Sequence, residues 1–218
     1  MPSQSTPRKG AGFRRRLLAW FRTAGRDLPW RRTRDPYRVL VSEFMLQQTQ
    51  VSRVLEFYPR FLARYPDLEA LARARPRAVR EAWDGLGYYR RAANLHRLAR
   101  EVVRHHAGTV PSDPEELERL PGVGPYTAGA VATFAYERPA PAVDTNAGRV
   151  LRRAFGCRTA KETRTLAGEL QPRRGRTAWS FNQALMELGA LVCTARAPKC
   201  RQCPVRGSCV WYRSTGNR

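Results

Sequence analysis

Acidic residues are scarce in this chain: 18 Asp and Glu stand against 40 Lys and Arg, a formal net charge of +22 over 218 residues. A partner of opposite sign is implied, and DNA or RNA suits so large an excess better than a small acidic substrate does. No run of about eighteen apolar residues occurs, which excludes a membrane-spanning helix. No basic segment is followed by a long apolar core and a small-residue cleavage site, so no secretory leader is expected and the location implied is cytoplasmic, without a membrane partner. Alternating strand patterns and internal repeats are absent too, which points to an all-α fold. Outside one short segment cysteine is represented by Cys157 alone; the other four fall between residues 193 and 209. That distribution speaks for a ligand cluster in a reducing compartment and against a disulfide framework.

What is present describes a folded protein. The composition is 42% hydrophobic with five Trp, unlike a disordered basic tail, and the length suits one domain or two modest lobes. Residues 1–12, rich in Ser, Pro, Gly and basic side chains, read as a disordered start, and RRRLLAWFR reads as a basic helix ending near Gly25. After a break at LPW, residues 28–30, apolar spacing predicts helices from Tyr37 to Gln50 and over Val54 to Leu62. Short ones follow around 67–73 and 76–83, then a longer one starting in LGYY, residues 86–89. Asp113 suits a helix N-terminus, PGVG a turn and Ala128 to Phe134 a second helix, so 113–134 has the form helix, hairpin, helix. A helix is expected near Asp144, and a last long one from Trp179 to about Val192.

Four cysteines, Cys193, Cys200, Cys203 and Cys209, separated by six, two and five residues, supply enough thiolate for tetrahedral zinc or for a [4Fe-4S] cluster. No His lies near enough in sequence to make an evident hydrolytic site, and a metal wrapped by four thiolates offers water no open position. The centre is therefore structural, bracing a loop that carries Lys199, Arg201 and Arg206 toward a phosphate chain. Two carboxylates have contrasting settings. Glu43 sits among Phe44, Leu46 and other apolar groups, which favour its protonated form; Asp144, beside Asn146 at a helix start, is expected to stay ionised. Gly122 and Gly124, flanking Val123, remove side chains where backbone N–H groups can meet a phosphate.

The motifs LPWR (28–31), SEFMLQQTQV (42–51), WDGLGYYRRAANL (83–95), LPGVGPYTAGAV (120–131), VDTNAGRVLRR (143–153), FNQALMELGALVC (181–193) and the four-cysteine loop together resemble the helix-hairpin-helix DNA glycosylases of base excision repair, most closely the catalytic portion of the MutY-type adenine enzymes. The resemblance implies a six-helix barrel lobe at 31–136 and an iron-sulfur lobe formed by 13–30 with 137–218, and it selects [4Fe-4S] over zinc. It implies double-stranded DNA with a mismatch or an oxidised guanine as partner and a monomeric enzyme. Glu43 then protonates the departing adenine and assists the incoming water, and Asp144 stabilises or transiently bonds the sugar C1′. Tyr126 donates a hydrogen bond to Asp144, Gln48 and Tyr89 wedge or stack where the base has left the helix, and Arg31, Asn146 and Trp30 surround the extruded adenosine. A tyrosine hydroxyl cannot form the Schiff base that a lyase requires of an amine, so Tyr126 implies a monofunctional enzyme.

Two features depart from the pattern: VDTN stands where VDGN is common, and the chain ends nine residues after Cys209, where such enzymes usually continue into a domain that inspects 8-oxoguanine. A truncated catalytic piece or a minimal member is implied. A thymine or uracil mismatch glycosylase would combine Tyr126 and Asp144 with the same cluster, but usually has basic side chains where Gln47 and Gln48 stand. An endonuclease III type enzyme would need a hairpin lysine. A non-catalytic DNA-binding module would leave Glu43 and Asp144 without a purpose.

Overall fold

The computed structural model describes residues 6–215, and all regular elements among them are helical. In chain order they are α1 (Thr6–Ala24), α2 (Pro36–Leu46), α3 (Val51–Arg64), α4 (Leu68–Arg73), α5 (Pro76–Ala82), α6 (Arg90–His105), α7 (Pro114–Glu118), α8 (Pro125–Phe134), α9 (Thr145–Phe155), α10 (Ala160–Leu170), α11 (Gly175–Leu191) and α12 (Val210–Ser214), with short 3-10 turns at Pro29–Arg31, Cys200–Gln202 and Arg206–Ser208. Most starts are chemically marked. Side-chain oxygens of Asp35, Asp67, Asp113, Asp144 and Thr159 accept backbone N–H groups of the first turn, and prolines occupy the first position of α2, α7 and α8.

The chain divides into two compact units, Met1–Arg26 with Glu137–Arg218, and Asp27–Tyr136. In the second, α3 buries Val54, Tyr58 and Phe61 on one stripe, and Phe61 meets the fully buried Trp83 edge-on at 5.6 Å. In the first, Phe13 and Leu17 of α1 join Leu151, Leu166, Phe181 and Leu188 from α9, α10 and α11 in one core. No helix among the described residues is long and apolar enough to cross a membrane.

Several boundaries differ from those expected. Residues 6–12 are helical, because α1 continues back from its Phe13 anchor over a buried Gly10; residues 1–5 lie outside the described residues. The division between the units falls after Arg26 and not at residue 30, since Trp30 packs edge-on against Tyr58 of α3 at 5.5 Å. The helix expected through Gln50 stops at Leu46, and the one expected from LGYY starts at Arg90, which leaves Gln47–Gln50 and Leu86–Tyr89 in loops. Helix α11 starts four residues before the Trp179 start expected, and α10 has no counterpart in the sequence reading.

Near the end of α1 the chain is tied down by one ion pair. Glu187 of α11, fully buried, accepts from Arg26 Nε at 2.7 Å, from its Nη2 at 3.1 Å and from the Arg26 backbone N–H at 3.0 Å. Replacing Glu187→Ala removes all three. Urea unfolding is expected to show a loss of about 2–4 kcal/mol, toward the lower end for a buried pair because the stranded guanidinium is partly exposed and can rehydrate.

Candidate functional site

Helix α2 runs with almost every side chain covered, and Glu43 is only 4% exposed among Leu40, Val41, Phe44 and Met45. A carboxyl so enclosed needs polar company. The company comes from the first turn of α8, which packs against α2: the Tyr126 hydroxyl donates to Glu43 Oε2 at 2.7 Å. The sequence paired Tyr126 with Asp144; within the Asp27–Tyr136 unit its hydroxyl meets Glu43, a partner that the residue order does not suggest.

Asp144 is held by its own helix. As N-cap of α9 it accepts from the Ala147 backbone N–H at 2.7 Å through Oδ1, and from Asn146 Nδ2 at 3.1 Å through Oδ2. Asn146 in turn accepts from Arg149 at 2.8 Å, so the side chain expected to reach the base is engaged in fixing the carboxylate. Burial pushes the Asp144 pKa above its ordinary value of 3.8, outweighing the Ala147 and Asn146 hydrogen bonds and the Arg149 charge that pull it down.

The same helix reaches the cysteine loop. Arg149 Nε donates to the Cys193 carbonyl at 2.7 Å; Arg153 donates to the carbonyls of Thr194 at 2.7 Å and Ala195 at 2.9 Å and lies over the Trp211 ring. Cys193, Cys200, Cys203 and Cys209 line one cavity, walled by Arg153 and Arg206, and none is in a disulfide. Four unpaired thiols converging beside two guanidiniums have the donor chemistry of a thiolate-held metal centre, although no group of three or more His, Cys, Asp or Glu among the described residues closes to ligand geometry. Lys199, Arg201 and Arg206 are exposed on this loop, and Arg206 donates to the Arg201 carbonyl at 2.8 Å.

A third group of residues surrounds Arg91, which nothing in the sequence singles out from forty basic residues. Its guanidinium, buried to 7% exposure, donates to the carbonyls of Phe44, Met45 and Gln47 at the end of α2, to Thr49 Oγ1, and to the carbonyls of Leu86 and Gly87. Two exposed residues flank this clamp in the left-handed region, Gln48 with φ 58° and Tyr88 with φ 49°. Side chains other than Gly adopt that region at a cost of about 1–3 kcal/mol, and such strain gathers at functional loops. Tyr88 is 61% exposed. Tyr89, the residue singled out from the sequence, has its hydroxyl bonded to Asp84 and its ring under Arg80.

The hairpin between α7 and α8 turns through Gly122 at φ 78°, where any Cβ would also strike Asn94 at 2.7 Å. Val123 is buried; Gly124 is the N-cap of α8, and a Cβ there would meet no atom within 4 Å. The start of α8 thus presents backbone N–H groups past an open position. Arg31 ends the half-exposed 3-10 turn, while Trp30 is a packing residue against Tyr58.

Comparison with known proteins identifies the family. Residues 41–173 match the family described as HhH-GPD superfamily base excision DNA repair protein. The adenine DNA glycosylase of Mycobacterium tuberculosis is 48% identical over 202 residues, covering 89% of this chain and 66% of that protein, so the chain spans about two thirds of its length. The thymine-DNA glycosylase of Aeropyrum pernix is 39% identical over 209 residues, 92% of this chain and 94% of that one. The solved structure of a thermostable thymine-DNA glycosylase superposes with a TM-score of 0.90 at 33% identity, over 97% of this chain and 100% of that one. With the helix-hairpin-helix at 113–134 and more than half its length matched, the chain belongs to the HhH-GPD superfamily of base excision DNA repair proteins.

Proposed function

We propose that this protein is a monofunctional DNA glycosylase that hydrolyses the N-glycosidic bond of adenine mispaired with 8-oxoguanine or guanine in double-stranded DNA. The observation that carries this reading is the buried Glu43 carboxyl bonded to the Tyr126 hydroxyl. A buried carboxyl suits proton donation to a purine, and a tyrosine at the hairpin leaves no amine there for lyase chemistry. Similarity to the mycobacterial adenine enzyme and the Gln47–Gln48 pair support adenine over thymine.

In this mechanism Glu43 gives its proton to N7 as the C1′–N9 bond breaks and the bonding electrons leave with the base. The ionised Asp144, aligned by Asn146 and the α9 N-terminus, stabilises or traps the positive C1′. Glu43, now a carboxylate, takes a proton from the water that completes the sugar hydroxyl, which restores the acid. Tyr126 holds one Glu43 oxygen throughout, and so positions the acid rather than the anion. Gln48 and Tyr88 fill the space of the extruded base, with Tyr88 better released for it than Tyr89. The α7–α8 hairpin, with Lys199, Arg201 and Arg206, grips the phosphate backbone. Cys193, Cys200, Cys203 and Cys209 would hold a [4Fe-4S] cluster, which supplies structural bracing and no chemistry in the reaction.

A second reading, thymine or uracil release from mismatches with guanine, is favoured by the 39% identity to the Aeropyrum thymine enzyme and the TM-score of 0.90 to a solved one. Single-turnover base release from duplexes differing only in the A:8-oxoguanine, A:G, T:G or U:G pair decides between them. Release of adenine is expected, and release of thymine without adenine would replace the first reading by the second.

Glu43→Gln is expected to lower adenine release by about 10²–10⁴-fold with duplex affinity unchanged, the worth of a general acid. Tyr126→Phe, which removes one hydrogen bond to that carboxyl, should lower it about tenfold.

The raised Asp144 pKa sets two further expectations. Base release should fall on acidification at a pH above the range of an ordinary aspartate, as the carboxylate is neutralised. For stability the sign is opposite: a raised pKa means that the folded chain favours the neutral acid, so ionised Asp144 costs stability at neutral pH, relieved as pH falls through the raised value. Asp144→Asn keeps a good helix cap and removes the buried charge. It should abolish measurable base release while the thermal midpoint at pH 7 stays level or rises; a lower midpoint would contradict this account.

A further inference from the structure

The mechanism leaves unused a groove of about 670 Å³ between α5 and α6. Arg77 and Arg80 of α5 face Arg90, Arg97 and Arg100 of α6 across it, with His96 in its lining. Its nearby carboxylates are already engaged, Glu81 with Arg77 at 3.0 Å and Asp84 with the Tyr89 hydroxyl. Arg80 lies over the Tyr89 ring and Arg97 donates to Asn94. Arg90 and Arg100, both exposed, make no hydrogen bond or ion pair among the described residues. The positive charge of the groove is thus largely uncompensated within its own unit.

His96 is 4% exposed and its Nε2 has no hydrogen-bond partner among the described residues, but that nitrogen is closed to the groove and does not itself meet a ligand. The spacing indicates what kind of ligand. From Arg90 to Arg100 the helix rises about 15 Å, at 1.5 Å per residue. That is the axial span of about four phosphates along one strand of a duplex, at 3.4 Å each, and far exceeds a single phosphate.

We infer that the α5–α6 groove binds a phosphodiester strand of duplex DNA, as a grip separate from the site of base release. The identity of the polyanion rests on the DNA-repair reading above; the charge and the span do not. Bound backbone here adds affinity for undamaged and damaged duplex alike, because phosphate contacts carry no base information.

The test is the salt dependence of binding to an undamaged duplex, followed by fluorescence anisotropy. Arg90→Gln with Arg100→Gln removes two phosphate contacts and is expected to make the slope of log affinity against log salt shallower by about 2, at 0.9 per contact. Single-turnover adenine release with the duplex saturated should stay within twofold of the parent chain. Ala93→Glu, which puts a carboxylate on an exposed position of the groove with both arginines kept, should weaken binding by a comparable factor. The control, Arg164→Gln with Arg173→Gln, removes the same charge from exposed positions of the other unit and should leave the slope within half a unit. An unchanged slope in the groove variant, or an equal change in the control, overturns the inference. If no duplex releases a base, the proposed activity fails while the slopes still decide the groove.

Discussion

One buried guanidinium organises the second unit. Helix α2 must end at Leu46 for Gln48 to turn outward, and an abrupt helix end leaves carbonyls without partners. Arg91, from a different helix, supplies donors to three of them and to two carbonyls of the loop before α6. Cationic side chains are favoured at helix C-termini because the peptide dipoles point their negative ends there, and here the cation is enclosed with them. The helix that carries Glu43, the strained Gln48 and the strained Tyr88 are thereby set by one side chain. A lysine, with a single compact ammonium, could not span both loops as this planar fork does.

The two carboxyls are prepared in different ways that suit different tasks. Glu43 is enclosed by apolar side chains and touched by a hydroxyl, while Asp144 sits at a helix start with an amide and a backbone N–H directed at it. Each is positioned from within its own unit. Helix α9 gives Asp144 more than a cap, since Arg149 and Arg153 fasten the same helix to the cysteine loop. Bracing of that loop is therefore also bracing of the carboxylate, through the helix that both share.

Much of this was legible in the residues, in proportion to how local the cause is. The helix-hairpin-helix follows from Asp113, the PGVG turn and the apolar spacing around it, and the cap role of Asp144 follows from the residue type alone. Helix α10 is hard to read from the residues because only Leu166, Ala167, Leu170 and Thr163 of its eleven are buried, too few for the apolar period to stand out. Its signal lay elsewhere, in Thr159 and Glu162, whose spacing marks a helix start and whose bonds cap it. Tertiary choices were not legible. Nothing in GYY says that the first tyrosine takes the left-handed, exposed position and the second bonds Asp84, and nothing in Tyr126 points to Glu43 until α8 is seen against α2.

The two hairpin glycines look equivalent in the sequence and are not. Gly122 is dictated by the chain itself, through a positive φ and the side chain of Asn94 beneath it. Gly124 has an ordinary extended conformation and empty space where a Cβ would lie, so neither strain nor a clash would exclude alanine there. Alanine is nonetheless a poorer N-cap than glycine, so the preference at this position comes from the start of α8. One turn thus records two separate demands, the first set by a positive φ and a close neighbour, the second by the way a helix begins.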